Sequence, residues 1–215
     1  TWDITSIKRV VVATENVVDL LKSNLEKLPE DVCELIPVIA SLGSTFSSTT
    51  ASYAIAYFHG KVKSTGNEER DIRKTIDENK LYNTKGAEIL DLCLKEGFIE
   101  EQSESRYRWI HDKIQEAALA LVKSANLSNM QYQLGEFLLE KWSESVIQAN
   151  VFSIVDLLGK NRVSLPDKGL KEKIQMARLC LKAGDKAIRI ASFSTAAKYL
   201  DTGIDHLPND HWKEH

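Results

Sequence analysis

The chain has 215 residues, of which 43% are hydrophobic, so it is long enough to bury the core of one large domain or of two small ones. Its net charge of −3 gives no chain-wide attraction to nucleic acid or to anionic lipid, so we expect protein partners and no membrane association. Cys33, Cys93 and Cys180 are too few and too far apart in sequence for a disulfide framework or a zinc site, which favours a cytoplasmic location.

The N-terminal part of the chain is predicted to be helical. It begins without methionine and has no signal-peptide pattern, and we expect it to be a piece of a longer protein. Apolar residues recur at helical spacing over residues 15–28, 30–42 and 48–58, and Pro37 is expected to kink the second of these helices. The charged segment 60–80 predicts a solvated loop with a short surface helix.

The middle of the chain changes from a helix to a hairpin and back. Residues 84–95 have a helical pattern, and residues 98–110 alternate as two strands around a polar turn. Asp112 and Gln115 are spaced as a capping box, in which Asp112 would accept hydrogen bonds from first-turn amides and Gln115 would reach back. Three helices, one β-hairpin and the helix at Asp112 together predict a winged-helix-like unit.

After Asn126 the sequence predicts helices alone. Gly184, Ala196 and Pro208 lie twelve residues apart, as in a tetratricopeptide repeat, but no second copy follows at the repeat period. We therefore predict a TPR-like helical-hairpin arm rather than an array. The predicted helices are 127–142, 146–158, 170–182, 183–192 and 193–207, and the last of them is expected to face inward at Ala196, Ala197, Leu200 and Ile204.

The predicted fold class is therefore mainly α, with a winged-helix-like subdomain followed by a helical arm. We divide the chain into a connecting segment and helix at 1–27, a winged-helix-like subdomain at 28–125 and the TPR-like arm at 126–215.

His111 and Asp112 are the candidate site residues, and two interpretations compete. In the structural one, His111 packs at a strand-to-helix corner and Asp112 caps the helix. In the functional one, His111 donates a hydrogen bond to a nucleotide phosphate held by another domain, because the exposed amides and positive dipole of a helix start suit an anion. On residue chemistry alone, the structural interpretation is favoured.

Other chemistry finds little support in the sequence. No phosphate-binding loop, nucleophile elbow or zinc-binding motif is present, so we predict no catalytic residue and no metal site. A DNA-binding winged helix would need a basic helix before the wing. Instead, that helix has a balanced set of charges, at Lys85, Glu88, Asp91, Lys95 and Glu96. The wing is acidic, at Glu100, Glu101 and Glu104.

Several segments occur in an order that resembles a known family. They are Trp2-Asp3, Glu15 to Leu21, Leu28-Pro29, Ala40 to Gly43 with Phe46, Glu96-Gly97-Phe98-Ile99, Ile110 to Ala118, Leu134-Gly135, Phe152 to Val155 and His211-Trp212. Together they resemble the C-terminal part of the STAND-type AAA ATPase module of multidomain sensor proteins, which also carry Ser/Thr kinase, GAF and histidine kinase domains.

This resemblance implies a signalling role. It implies a winged-helix subdomain and helical arm downstream of a P-loop domain that binds ATP or ADP, with His111 as the phosphate donor and Asp112 fixing its backbone. It also implies the P-loop, kinase and GAF domains of the same polypeptide as partners. The alternatives are a helical protein-interaction scaffold with a structural His-Asp corner and, less favoured, a DNA-binding winged helix.

Overall fold

The computed structural model describes residues 17–63, 81–160 and 169–207, which are mainly helical with one small antiparallel sheet. The chain divides into two compact units, one ending at Leu127 and the other beginning at Ser128. No helix within the three described ranges is long and apolar enough to cross a membrane. The winged-helix and TPR-like roles assigned to 28–125 and 126–215 remain predictions.

The first unit contains the hairpin and the helices around it. Its elements are α1 over residues 17–25 of the described range, α2 Glu30–Ser41, β1 Thr45–Ser47, α3 Ser48–Lys63, α4 Leu81–Lys95, β2 Ile99–Ser103, β3 Arg106–Trp109 and α5 Asp112–Leu119. The strands are ordered β1-β3-β2, and both pairs are antiparallel. The predicted hairpin is therefore present, while most of the charged segment 60–80 lies outside the described residues.

Strand β1 makes the predicted hairpin a three-stranded sheet. The sequence predicts no strand here, because three residues with a single apolar side chain give no alternating pattern. The strand forms because β3 offers an edge for pairing and Phe46 is buried against two aromatic rings of that strand. The Phe46 ring centroid lies 6.2 Å from that of Tyr107 and 6.3 Å from that of Trp109.

The core of the first unit lies between its helices and the sheet. Helix α2 contributes most to it, because its apolar residues run from Val32 to Ala40 and leave few positions for solvent. Pro37 lies inside this helix, and the Ser41 hydroxyl donates to the Pro37 carbonyl at 2.9 Å. Helices α3 and α4 are in close contact at Gly86, where a Cβ atom would lie 2.6–2.7 Å from atoms of Ser52.

The second unit is built from helices in its described part. They are α6 Ser124–Lys141, which begins just before the division, α7 Glu144–Ala149, α8 Val151–Gly159, α9 Leu170–Arg189 and α10 Phe193–His206. Two predicted boundaries were wrong. The predicted helix 146–158 is interrupted at Asn150, and the predicted helices 170–182 and 183–192 form one helix because no residue near Ala183 breaks the backbone pattern.

Helices α9 and α10 form a closely packed hairpin. Gly184 allows this approach, since a Cβ atom there would lie 2.6 Å from the Leu200 side chain, and Gly203 similarly faces Cys180 at 3.0 Å. Ala196 is buried as predicted, but Ala197 and Ile204 are exposed, and Tyr199 and Gly203 take the inward positions. Pro208, the last residue of the TPR-like match, lies outside the described residues.

Candidate functional site

His111 lies where the sheet ends and α5 begins. Its backbone is still extended, with φ −144° and ψ 142°, and its Nδ1 atom accepts a hydrogen bond from the Lys113 amide at 3.0 Å. His111 is therefore the N-cap of the helix, and Asp112 is its first residue. The prediction that Asp112 caps the helix was wrong by one position, because the extended conformation of β3 continues through His111.

Gln115 does not complete a capping box. With His111 as the N-cap, the third helical position belongs to Ile114, which is apolar and buried and cannot reach back to the cap. The Gln115 Nε2 atom instead donates to the Ala40 carbonyl of α2 at 2.7 Å. This hydrogen bond ties α5 to α2 and holds the start of the helix in place.

The imidazole of His111 is accessible from solvent. Its side chain is 64% exposed and that of Asp112 is 82% exposed, and the distance from His111 Nδ1 to Asp112 Oδ1 is 2.6 Å. Nδ1 cannot accept from the Lys113 amide and donate to Asp112 at the same time. The neutral cap therefore carries its proton on Nε2, whereas the imidazolium donates to Asp112 from Nδ1 and keeps a proton on Nε2. Both forms present an N–H donor at Nε2.

The charges around this corner are mixed. The Lys113 Nζ atom lies 2.6 Å from Glu116 Oε2, and this hydrogen bond raises the pKa of Lys113. An anion at the corner would meet the Nε2–H donor and the first-turn amides of α5 on one side and the Asp112 carboxylate on the other. The corner therefore both attracts and repels an anion.

Strand and loop contacts fix the backbone that leads into His111. The Trp109 amide donates to the Ser44 carbonyl at 3.2 Å, and the Ile110 amide donates to the Phe98 carbonyl at 3.1 Å. Trp109 is buried against Phe46, whereas Ile110 is 49% exposed beside the candidate site. The histidine thus follows the end of the central strand, where backbone hydrogen bonds hold the two preceding residues.

Cysteine nucleophiles and metal clusters find no support in the described part of the chain. There, no group of three or more His, Cys, Asp or Glu side chains could hold a metal ion. Burial raises the pKa of Cys93 to about 12, and burial together with the charge of Glu26 raises that of Cys33, so neither thiol is an activated nucleophile. His211 and His215 lie outside the described residues.

A basic cleft between α7 and α9 was not singled out from the sequence. Lys182, Lys186 and Arg189 line it at helical spacing, which the sequence alone could have indicated. Two of these charges already have partners within the protein. Lys182 pairs with Glu144, and Lys186 donates to the Gln148 carbonyl at 3.3 Å and to the Ala149 carbonyl. These contacts of Lys182 and Lys186 therefore hold α7 against α9.

Compared with models of protein families, with curated proteins and with solved structures, the chain gave no match. The family resemblance drawn from the sequence motifs accordingly remains a hypothesis about function.

Proposed function

We propose that the chain is a non-catalytic regulatory segment of a STAND-type signal-transduction ATPase. In this proposal, His111 senses the phosphate of ATP or ADP held by a P-loop domain of the same polypeptide. The helical arm then relays the nucleotide state to adjoining kinase or GAF domains.

The single observation that carries the proposal is the state of the His111 ring. One ring nitrogen is used by the helix cap at 3.0 Å, while the side chain remains 64% exposed. The cap fixes the position of the ring, and the second nitrogen is left to donate outward. A ring that is both oriented and accessible is what phosphate recognition by another domain requires.

The topology of the first unit supports the winged-helix part of the proposal. Its order is α2-β1-α3-α4-β2-β3, and β1 pairs with β3. A winged helix has the same order of helix, strand, two helices and a two-stranded wing. The buried Gly184 and Ala196 in the α9–α10 hairpin likewise support a TPR-like arm.

The proposed sensing depends on differential contact. A nucleotide can shift the arm only if one nucleotide state gives His111 a partner that the other lacks. The Nε2–H donor can meet a phosphate oxygen in one domain arrangement and water in the other. The free-energy difference between these contacts would set the population of each arrangement.

We test the proposal by measuring ADP release from the full-length polypeptide that contains the P-loop domain. His111→Ala removes both donor and cap, whereas His111→Asp keeps a good cap and places a negative charge at the phosphate. Loss of a charge-assisted hydrogen bond predicts ADP release about 10- to 100-fold faster in both variants. Arg106→Ala, on the exposed wing, is the control and should release ADP at the original rate.

The unfolding free energy of each variant separates sensing from folding. His111→Ala is expected to lose about 1 kcal/mol of stability, and His111→Asp much less, because only the former loses the cap. Unchanged ADP release in a stably folded His111→Asp variant would contradict the sensing proposal.

A protein-interaction scaffold is the second candidate function. It is favoured by the exposed apolar side chains of α9 and α10, among them Leu181, at 54% exposed, and Phe193, at 67%. In a scaffold, His111 would only cap α5, and ADP release would not respond to its replacement.

A further inference from the structure

The α9–α10 hairpin has an exposed apolar surface, which we call the outer face. It consists of Leu181 and Ile188 on α9, at 54% and 45% exposed, and Phe193 and Ile204 on α10, at 67% and 56% exposed. The two α9 residues are seven positions apart, and Phe193 and Ile204 are eleven apart, so each pair lies on one side of its helix. Each helix therefore has an apolar stripe that faces solvent.

The two stripes lie on the same side of the hairpin. The helices touch through Gly184 and Cys180 on α9 and through Leu200 and Gly203 on α10. At about 100° per residue, the buried Ala183 falls on one side of this contact line and Leu181 on the other. The same spacing on α10 places its buried residues on one side of the contact line and its stripe, Phe193 and Ile204, on the other. Because α9 and α10 run antiparallel, the two stripes combine into one surface opposite the buried core.

The two edges of the outer face differ in charge. Exposed basic residues border it along α9, with Asp185 among them, whereas exposed Asp201 and Asp205 border it along α10, with Lys198 among them. Within the described ranges, no ion pair engages the bordering residues Lys171, Arg178 and Arg189 of α9 or Asp201 and Asp205 of α10. Their charges are thus available to a molecule that covers the apolar stripes.

We propose that the outer face binds a second copy of the chain, with α9 of each copy against α10 of the other. A two-fold axis parallel to the helices would bring the basic edge of one copy to the acidic edge of its partner, twice per dimer. An axis across the helices would instead place basic edge against basic edge. The charge pattern therefore selects both the occupant and the arrangement. This inference does not depend on nucleotide sensing by His111.

The size of the outer face predicts weak association. Helices of 20 and 14 residues extend about 30 and 21 Å, and two packed helices present a surface about 20 Å wide. The overlapping surface is roughly 400 Å² per copy, or about 800 Å² in total, which is below the roughly 1,200 Å² of stable interfaces and is typical of weak, transient association. We expect a dissociation constant in the micromolar range.

The first experiment measures the mass of the chain in solution as a function of concentration. The mass is expected to rise from 24.2 kDa towards twice that value as the concentration increases through the micromolar range. Leu181→Asp should abolish the rise. Leu20→Asp is the matched control, because Leu20 is 63% exposed on α1 of the first unit and is not one of the residues of the outer face. A mass of 24.2 kDa up to millimolar concentration would overturn the proposal, as would a dimer that survives Leu181→Asp.

A charge exchange then tests the arrangement. Arg178→Asp and Asp205→Arg should each weaken the dimer by about tenfold, since each change replaces two attractions per dimer with repulsions. The double variant restores opposite charges across the interface and should return the dissociation constant to within about threefold of the original. Failure of the double variant to dimerise more tightly than either single variant would contradict the α9-to-α10 pairing. Circular dichroism verifies that each exposed variant is folded.

Discussion

His111 caps α5 through a ring nitrogen, whereas most helices use a side-chain oxygen of Ser, Thr, Asp or Asn at this position. Asp112 has the preferred chemistry but the wrong backbone, because the N-cap is the last residue with an extended conformation. Strand pairing extends the chain as far as the corner and thereby assigns the cap to the histidine. The identity of the cap is therefore decided by the sheet rather than by local preference.

Gly86 of α4 lies against Ser52 of α3, and this contact leaves no space for a larger side chain. A methyl group there would lie 2.6–2.7 Å from the Cα, Cβ and Oγ atoms of Ser52, and a backbone atom cannot move aside as a flexible side chain can. Gly86→Ala should therefore lower the free energy of unfolding by about 1–3 kcal/mol.

Gly159→Ala is the matched control for this prediction, because no atom lies within 4 Å of a Cβ at Gly159 at the end of α8. It should change stability by less than about 1 kcal/mol, in the stabilising direction. Denaturant unfolding followed by circular dichroism measures both variants. Equal effects of the two substitutions would show that helices α3 and α4 are not in close contact at Gly86.

At the scale of elements, an ion pair between Asp31 and Lys85 joins α2 to α4. The hydrogen bond from Lys85 lowers the pKa of Asp31, and the same bond raises the pKa of Lys85. The Asp31 contribution is present above its unfolded-state pKa and is lost as pH falls through its lowered folded-state pKa. The Lys85 contribution is present below its unfolded-state pKa and is lost as pH rises through its raised one.

We predict a coupling between Asp31 and Lys85 that is present near neutral pH and disappears in acid. A double-mutant cycle with Asp31→Asn and Lys85→Met should give at most about 1 kcal/mol, because both side chains are partly exposed. The coupling should decrease as pH falls through the lowered folded-state pKa of Asp31. The Asp91–Lys95 pair, within α4 and more exposed, is the control and should give a smaller value. A coupling that persists in acid would contradict the ion-pair assignment.

The packing of α10 against α9 also explains why some residues of α10 were wrongly predicted to face inward. Ala197 and Ile204 have the apolar character and spacing of core residues, yet they are exposed. Periodicity identifies an apolar arc on a helix but not which part of that arc meets a neighbour. The close approach at Gly184 and Gly203 rotates α10 so that Tyr199 faces inward and the rest of the arc forms part of the outer face.

At the scale of the whole molecule, charge argues against DNA binding. The net charge is −3, and the cationic side chains of α4 that could face phosphates, Lys85 and Lys95, both pair with acidic residues. We predict no binding of the chain to duplex DNA at about 0.1 M salt.

Reversing two exposed wing charges should change this result. Glu101→Lys with Glu104→Lys adds four units of charge to −3 and gives a net charge of +1. This variant should bind DNA weakly and without sequence preference, and the affinity should fall steeply with added salt. Fluorescence anisotropy with labelled DNA measures both proteins. Binding by the unaltered chain as tight as that of the variant would restore the DNA-binding hypothesis.

The sequence by itself determined the mainly helical fold class, the hairpin and the start of a helix at His111 and Asp112, because these depend on local periodicity and turn chemistry. Tertiary structure decided which residue caps α5, where Gln115 donates, that β1 joins the sheet and which apolar arcs remain exposed. Each of these depends on a partner distant in sequence: Ala40 for Gln115, β3 for β1 and α9 for α10. A local sequence pattern does not identify such a partner, because the same pattern is compatible with several packing arrangements.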